Sequence, residues 1–182
     1  MHGPILRGKK VILKPMTLKD APNFLRWFAD KEVVRFIGNQ NQGLTLEKER
    51  QYIKRLAAKK EQVAWSIYTK DSAHIGSTDL HSLNFKHKKS DWGIMIGDKD
   101  YWNQGYGQDV LKTVLRYCFN KLKLHRVSLS VYEGNIGGIK CYAKCGFKQE
   151  GIKRESIFRF GGYLDEIIMG ILKDDYKKIK NK

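Results

Sequence analysis

The stretch from Ser90 to Leu122 limits the fold more than any other. Ser90-Asp-Trp-Gly-Ile-Met-Ile-Gly97 reads as a buried strand, Trp102-Asn-Gln-Gly-Tyr-Gly-Gln108 as a glycine-rich turn, and the run after Gln108 as an amphipathic helix. Val110, Leu111, Val114, Leu115, Cys118, Phe119 and Leu122 share one face at helical spacing. Gly105 and Gly107 allow positive φ and close approach of a ligand. The amides that open the helix lack intrahelical acceptors and sit at the positive end of its dipole. Such a corner is an anion pocket suited to phosphate.

Two common phosphate motifs are excluded. A P-loop requires Lys-Ser or Lys-Thr after its glycines, and neither pair occurs there. A dinucleotide fingerprint requires a third glycine where Val110 stands and an acidic residue about twenty positions on, where the chain reads Ser128-Leu-Ser-Val.

The rest of the chain reads as one domain over 1–182, with a core over about 8–173 and a frayed basic tail over 174–182. A strand over Lys9 to Met16 ends near Pro15. Thr17 then caps a helix that turns Phe24, Leu25 and Phe28 inward. Residues 38–43 read as a polar loop, and Thr45 caps a second helix with a weak stripe of Leu46, Ile53, Leu56 and Ala57. Val63, Trp65 and Ile67 alternate, and Ile75 to Leu83 forms another strand. After the central unit come a strand through Val127, Leu129 and Val131 and a short helix from Asn135 to Lys144. Two strand pieces come next, Phe147 to Gly151 and Ile157 to Phe160, then a Gly161-Gly162 turn into Tyr163 to Leu172. The order β-α-α-β-β-β-α-β-α-β-β implies a mixed α/β sheet with helices on both faces.

No apolar run reaches the length of a membrane span, and the start lacks a signal-peptide core, so a cytoplasmic location is expected. Cys118, Cys141 and Cys145 have no Cys-x-x-Cys spacing and read as reduced packing thiols. The five histidines form no metal cluster. Lys and Arg exceed Asp and Glu by 35 to 19, a formal charge of +16. That balance suits polyanionic surroundings, ribosome or RNA included, and equally suits a solvated basic surface.

The turn Trp102-Asn103-Gln104-Gly105-Tyr106-Gly107 resembles the acyl-CoA pyrophosphate loop of GNAT N-acetyltransferases, Gln/Arg-x-x-Gly-x-Gly/Ala, with Trp102 departing at the Gln/Arg position. A second segment is similar to the same family: Asn135 ends a strand, Tyr142 comes next on a short helix, and Gly146-Phe147 closes it. Tyr101-Trp102, Leu124-His-Arg, Glu150-Gly151 and Gly162-Tyr-Leu-Asp165 resemble the branch that holds ribosomal-protein alanine and spermidine acetyltransferases. Gly137-Gly138 departs from it, and each glycine costs a helix about 1 kcal/mol relative to alanine.

The resemblance implies the GNAT fold, a single mostly antiparallel sheet with splayed central strands, and acetyl-CoA as co-substrate without a metal. It places Ile94, Met95, Ile96, Asn103, Gln104, Gly105, Tyr106, Gly107, Gln108, Asn135 and Tyr142 around acetyl-CoA, with an amide around Met95 polarising the carbonyl. Direct attack by an amine needs no protein nucleophile, but it needs an acid for the thiolate and an outlet for the ammonium proton. Tyr142 is the expected acid. Asp91, acting through water or by attracting a cation, is the expected aid to the amine, with Asp79 and His81 as outside candidates. Asn135 either bonds the pantetheine arm or ends a strand. Trp27, Glu32, Trp65, Tyr163 and Asp165 either line the acceptor cleft or fill core. The acceptor is expected to be a protein N-terminus, with a polyamine, aminoglycoside or amino sugar as the alternative and a non-catalytic nucleic-acid module as the remote one. Monomer and homodimer stay equally open.

Overall fold

The computed structural model of the chain describes residues 3–37 and 43–180. Most of the loop expected over 38–43 therefore lies outside the described residues. Among them is one eight-stranded sheet in the order β1-β2-β3-β4-β5-β6-β8-β7. Its strands are β1 (Leu6–Arg7), β2 (Val11–Pro15), β3 (Val63–Thr69), β4 (His74–Asn84), β5 (Lys89–Ile96), β6 (Arg126–Tyr132), β7 (Lys148–Arg159) and β8 (Gly162–Leu172). Every pairing is antiparallel except β5 with β6.

Helices cover both faces. On one, α3 (Tyr106–Asn120), α4 (Ile136–Lys144) and α5 (Lys173–Lys180) cover the larger core, in which Val110, Leu111, Val114, Leu115, Cys118 and Phe119 are buried as the periodicity requires. On the other, α1 (Ala21–Ala29) and α2 (Leu46–Ala58) enclose Phe24, Trp27, Val33, Ile53 and Met95. The alternation of β5 divides the two. Trp92, Ile94 and Ile96 pack with the α3 core, and Met95 packs with α1 and α2.

The α1 entry is tied by a buried polar knot. Asp20 accepts from the Thr17 amide (2.7 Å) and hydroxyl (3.1 Å) and from the Tyr68 hydroxyl. His74 stacks on Tyr68 and meets Phe24 and Trp27 edge-on. Its Nε2 donates to the Gly76 carbonyl at 3.0 Å, which leaves Nδ1 to accept from Asn23 Nδ2 at 3.0 Å, so the ring is neutral. Burial pushes its pKa below the usual histidine value, over the opposing charge of Asp20. A folded-state pKa below the unfolded one stabilises the fold above the unfolded value and loses that stability as pH falls. Thermal stability is therefore expected to decline once pH drops below about 6.5, with a flatter decline in His74→Gln, as melting curves across pH would read.

Three expectations are corrected. The two strand pieces expected between Phe147 and Phe160 are one strand, β7 (Lys148–Arg159), with register shifts at Gln149/Gly151 and Lys153/Ile157. As an edge strand exposed along most of its length it carries no burial alternation to read. The hairpin turns on Phe160-Gly161, both at positive φ (55 and 80), because Arg159 already pairs with Gly162. Residues 174–180 are not frayed. They belong to α5, whose Tyr176 ring lies 4.9 Å from that of Phe119. Trp27 and Trp65, left open between cleft and core, are core, 3% and 0% exposed. No described helix is long and apolar enough to cross a membrane.

Candidate active site

β5 and β6 pair only at Lys89↔Arg126, Ser90↔Val127 and Asp91↔Ser128, then diverge into a wedge. Alternation along β5 decides which backbone groups face it. Gly97 N donates to Ile75 O (2.9 Å), Met95 is paired with Ser77, and Gly93 O accepts from Thr78 Oγ1 (2.8 Å), so odd-numbered residues point to β4. The peptide groups of Ile94 and Ile96 therefore face the wedge. The Met95 peptide is directed to its neighbouring strand, so of the amides around Met95 those of Ile94 and Ile96 are the ones that face the wedge. Ile96 O accepts from Trp102 Nε1 at 2.8 Å, so the tryptophan at the departing position ties the turn to the strand.

The turn itself places Asn103 at φ 58 and Gly105 at φ 81, and α3 starts at Tyr106. Space is not what Gly105 is needed for, since an added Cβ would meet nothing within 4 Å; the left-handed conformation is. Asp109 in the first turn accepts from the amides of Lys9 (3.0 Å), Lys10 (2.7 Å) and Val11 (3.0 Å), which fixes the helix mouth against β2. Lys10 Nζ reaches Gln104 O at 2.8 Å. A cleft of about 780 Å³ runs from the turn at 33–37 past Ile94–Ile96, Asn103 and Gly105–Gln108 to Asn135 and Tyr142. Gln104 is outside it, its amide nitrogen bonded back to Asp100 O.

At the far wall, Asn135 Oδ1 accepts from Gly138 N at 2.9 Å and caps α4. A Cβ at Gly138 would lie 2.9 Å from the Asn135 side chain, so the glycine that departs from the branch is what the cap requires. Tyr142 meets Trp92 edge-on at 5.6 Å and 90°, and Trp92 is held by Nε1 donating to Thr78 Oγ1 at 2.8 Å. Burial, with a smaller contribution from Cys141, pushes the Tyr142 phenol well above its usual pKa, so it stays protonated. A hydrogen bond between the free thiols of Cys145 and Cys141 lowers the pKa of Cys141 and, with burial, raises that of Cys145.

A family model described as "Acetyltransferase (GNAT) domain" matches residues 10–148. The chain belongs to the GNAT acetyltransferases. It is 29% identical over 174 residues to the uncharacterized N-acetyltransferase YoaA of Bacillus subtilis (strain 168), covering 93% of this chain and 97% of that one. It is 32% identical over 84 residues to the L-amino acid N-acetyltransferase AaaT of Escherichia coli (strain K12), covering 46% and 51%. The spermidine N-acetyltransferase of Vibrio cholerae, solved with CoA and spermine, superimposes with a TM-score of 0.85 at 20% identity, covering 92% and 98%, and carries the fold alone.

As a GNAT enzyme the protein acetylates an amine with acetyl-CoA as co-substrate. The wedge, the turn and the basic side chains at its rim, Lys140 and Lys144 among them, suit an elongated anionic thioester. Among the described residues, no group of three or more His, Cys, Asp or Glu could hold a metal.

The face of β5 opposite α3 carries the remaining candidates. Asp91, Gly93 and Met95 share it by alternation, and Asp79 and His81 project over Gly93. Asp91 thus lies at the apex of the wedge but outside the cleft lining. Glu32 lines the cleft, Tyr163 is exposed, and Asp165 accepts from Glu155 N. Sequence reasoning missed Arg159. Only 9% exposed, it donates to Val34 O (3.2 Å) and Arg35 O (3.0 Å) and lies over the Tyr132 ring, stapling the β7–β8 hairpin to the cleft wall. A lone arginine near a hairpin tip carries no sequence signal of such a contact.

Proposed function

We propose that the protein moves an acetyl group from acetyl-CoA directly to the α-amino group of a protein N-terminus. When bound, acetyl-CoA supplies an activated acyl group on a thiolate leaving group. The peptide groups of Ile94 and Ile96 hold its pantetheine arm in the manner of an added strand. The amides of Asn103 and of Gly105 to Gln108 take the pyrophosphate. A wedge-facing amide stabilises the developing oxyanion, and Tyr142 donates its proton to the departing sulfur. Asp91 places negative charge beside the incoming ammonium.

The observation that carries the acceptor assignment is the hairpin wall. Phe158, Phe160 and Tyr163 are each more than 60% exposed, and Arg159 holds their hairpin against the turn that lines the cleft. Exposed aromatic rings on a hairpin tied to the turn that lines the cleft suit the side chains downstream of an N-terminal residue. The charge of +16 disfavours a polycation. AaaT, similar over part of the chain, bears a name that points to α-amino acceptors.

The test is a CoA-release assay with acetyl-CoA and a panel of peptides with free or blocked N-termini, spermidine and an aminoglycoside. Free-amine peptides are expected to have the highest kcat/KM and blocked ones none. A preference of tenfold or more for spermidine or the aminoglycoside would replace the peptide acceptor with a small amine.

A further inference from the structure

We propose that His81, oriented by Asp79, is the group that takes the proton from the acceptor ammonium. The inference rests on the proposed acetyl transfer and concerns a step that Asp91 alone does not supply. Asp79 Oδ2 accepts from His81 Nδ1 at 3.0 Å and from Gln62 Nε2 at 2.9 Å. With Nδ1 committed to the carboxylate as donor, Nε2 of the neutral ring is the free base. Gln62 and Asp79 are positioning residues, holding one tautomer and one ring orientation.

The place of the pair is set by a missing side chain. A Cβ at Gly93 would lie 2.7 Å from Asp79 Oδ1 and 3.8 Å from His81 Cε1, so glycine is what lets carboxylate and ring fold down over β5. Gly93 adjoins Ile94, whose peptide faces the wedge, at about 3.3 Å along the strand. The pair lies on the Met95 face, opposite α3 and Tyr142, so the amine and the departing sulfur are served from opposite sides. His81 lines a depression next to the cleft rather than the cleft itself, so in this role its Nε2 takes the proton through water and not by direct contact with the amine.

Charge around the ring agrees with the role. From β4 it faces Asp79 and from β5 Asp91, while Lys59, Lys60 and Glu61 line the shallow depression beside it, and Arg126 answers Asp91 from β6. The hydrogen bond to Asp79, then the charges of Asp79 and Asp91, hold the imidazole above its usual pKa against the effect of burial.

The proton balance is complete. One ammonium N–H bond breaks, its proton goes to His81 Nε2, and the electron pair left on nitrogen forms the new amide bond. Tyr142 gives its proton to the sulfur and is restored by the second proton that nitrogen releases. One proton per turnover leaves through His81, whose side chain is 43% exposed to water.

The experiment is kcat against pH for the full chain with two acceptors of different amine pKa. In the wild type, an acid limb that stays at the same pH for both acceptors belongs to the protein. His81→Gln is expected to lose that limb and about a hundredfold in kcat, with the acetyl-CoA KM unchanged. Asp79→Asn moves the limb to lower pH, and added imidazole restores part of the activity of His81→Ala. A His81→Gln enzyme that keeps the limb, at full or uniformly reduced kcat, overturns the assignment and leaves a structural tie. Wild-type enzyme that binds acetyl-CoA by calorimetry yet acetylates no amine overturns the acetyl-transfer reading itself, and the role of His81 with it.

Discussion

Tyr142→Phe is expected to lower kcat by about a hundredfold or more while leaving acetyl-CoA affinity and melting temperature near wild type. The ring packs between Trp92 and Phe147, at 5.6 Å and 6.5 Å between centroids, and phenylalanine keeps both contacts. Trp92 is itself fixed by the chain from its indole through Thr78 Oγ1 to Gly93 O, so the phenylalanine ring stays where the tyrosine was. Only the hydroxyl goes. Burial keeps the phenol protonated at neutral pH, so its hydroxyl holds a proton for the departing sulfur that phenylalanine lacks. Steady-state kinetics and single-turnover CoA release read the loss, and equal rates for the two enzymes would remove Tyr142 from the chemistry.

Gly76→Ala has the largest expected effect on the fold. An added Cβ would lie 2.0 Å from the Met95 carbonyl oxygen and 3.0 Å from Ile96 Cα. Both are backbone atoms of β5, where it lines the wedge, so no side chain can turn aside to relieve the clash. The strands must separate, at a cost of about 3 kcal/mol or more. A loss of that size lowers the melting temperature by about 6–12 °C in a domain of this length. Whatever fraction folds carries Ile94 and Ile96 displaced, so the acetyl-CoA KM should rise as well. Urea titration and calorimetry measure the two consequences separately, and a melting temperature within about 2 °C of wild type would contradict the packing argument.

The strand-turn-helix over 90–122 was legible because burial on one face of α3 imposes a period, and because the backbone at Gly105 demands a residue tolerant of positive φ. Asn135 was legible only as an arm contact or a strand end, and its part as the cap of α4 emerged with the structure. What stayed hidden depends on partners distant in the chain. β7 lies at the sheet edge with little burial to pattern it, so its polar middle read as a gap between two strands. α5 hides its apolar side, Tyr176 and Ile179, among lysines. In-plane alternation along β5, which assigns the wedge to Ile94 and Ile96, needs the register with β4. The Gln62–Asp79–His81 cluster and the Arg159 staple join segments that only the sheet brings together.

The central claim is that the gap between β5 and β6 receives acetyl-CoA through main-chain groups. Amide hydrogen exchange with and without acetyl-CoA tests it residue by residue. The predicted result is slowed exchange at Ile94, Ile96 and Gly105 through Gln108, with Met95 unchanged because its amide already serves β4. Acetyl-CoA binding without protection at any of these amides would contradict it.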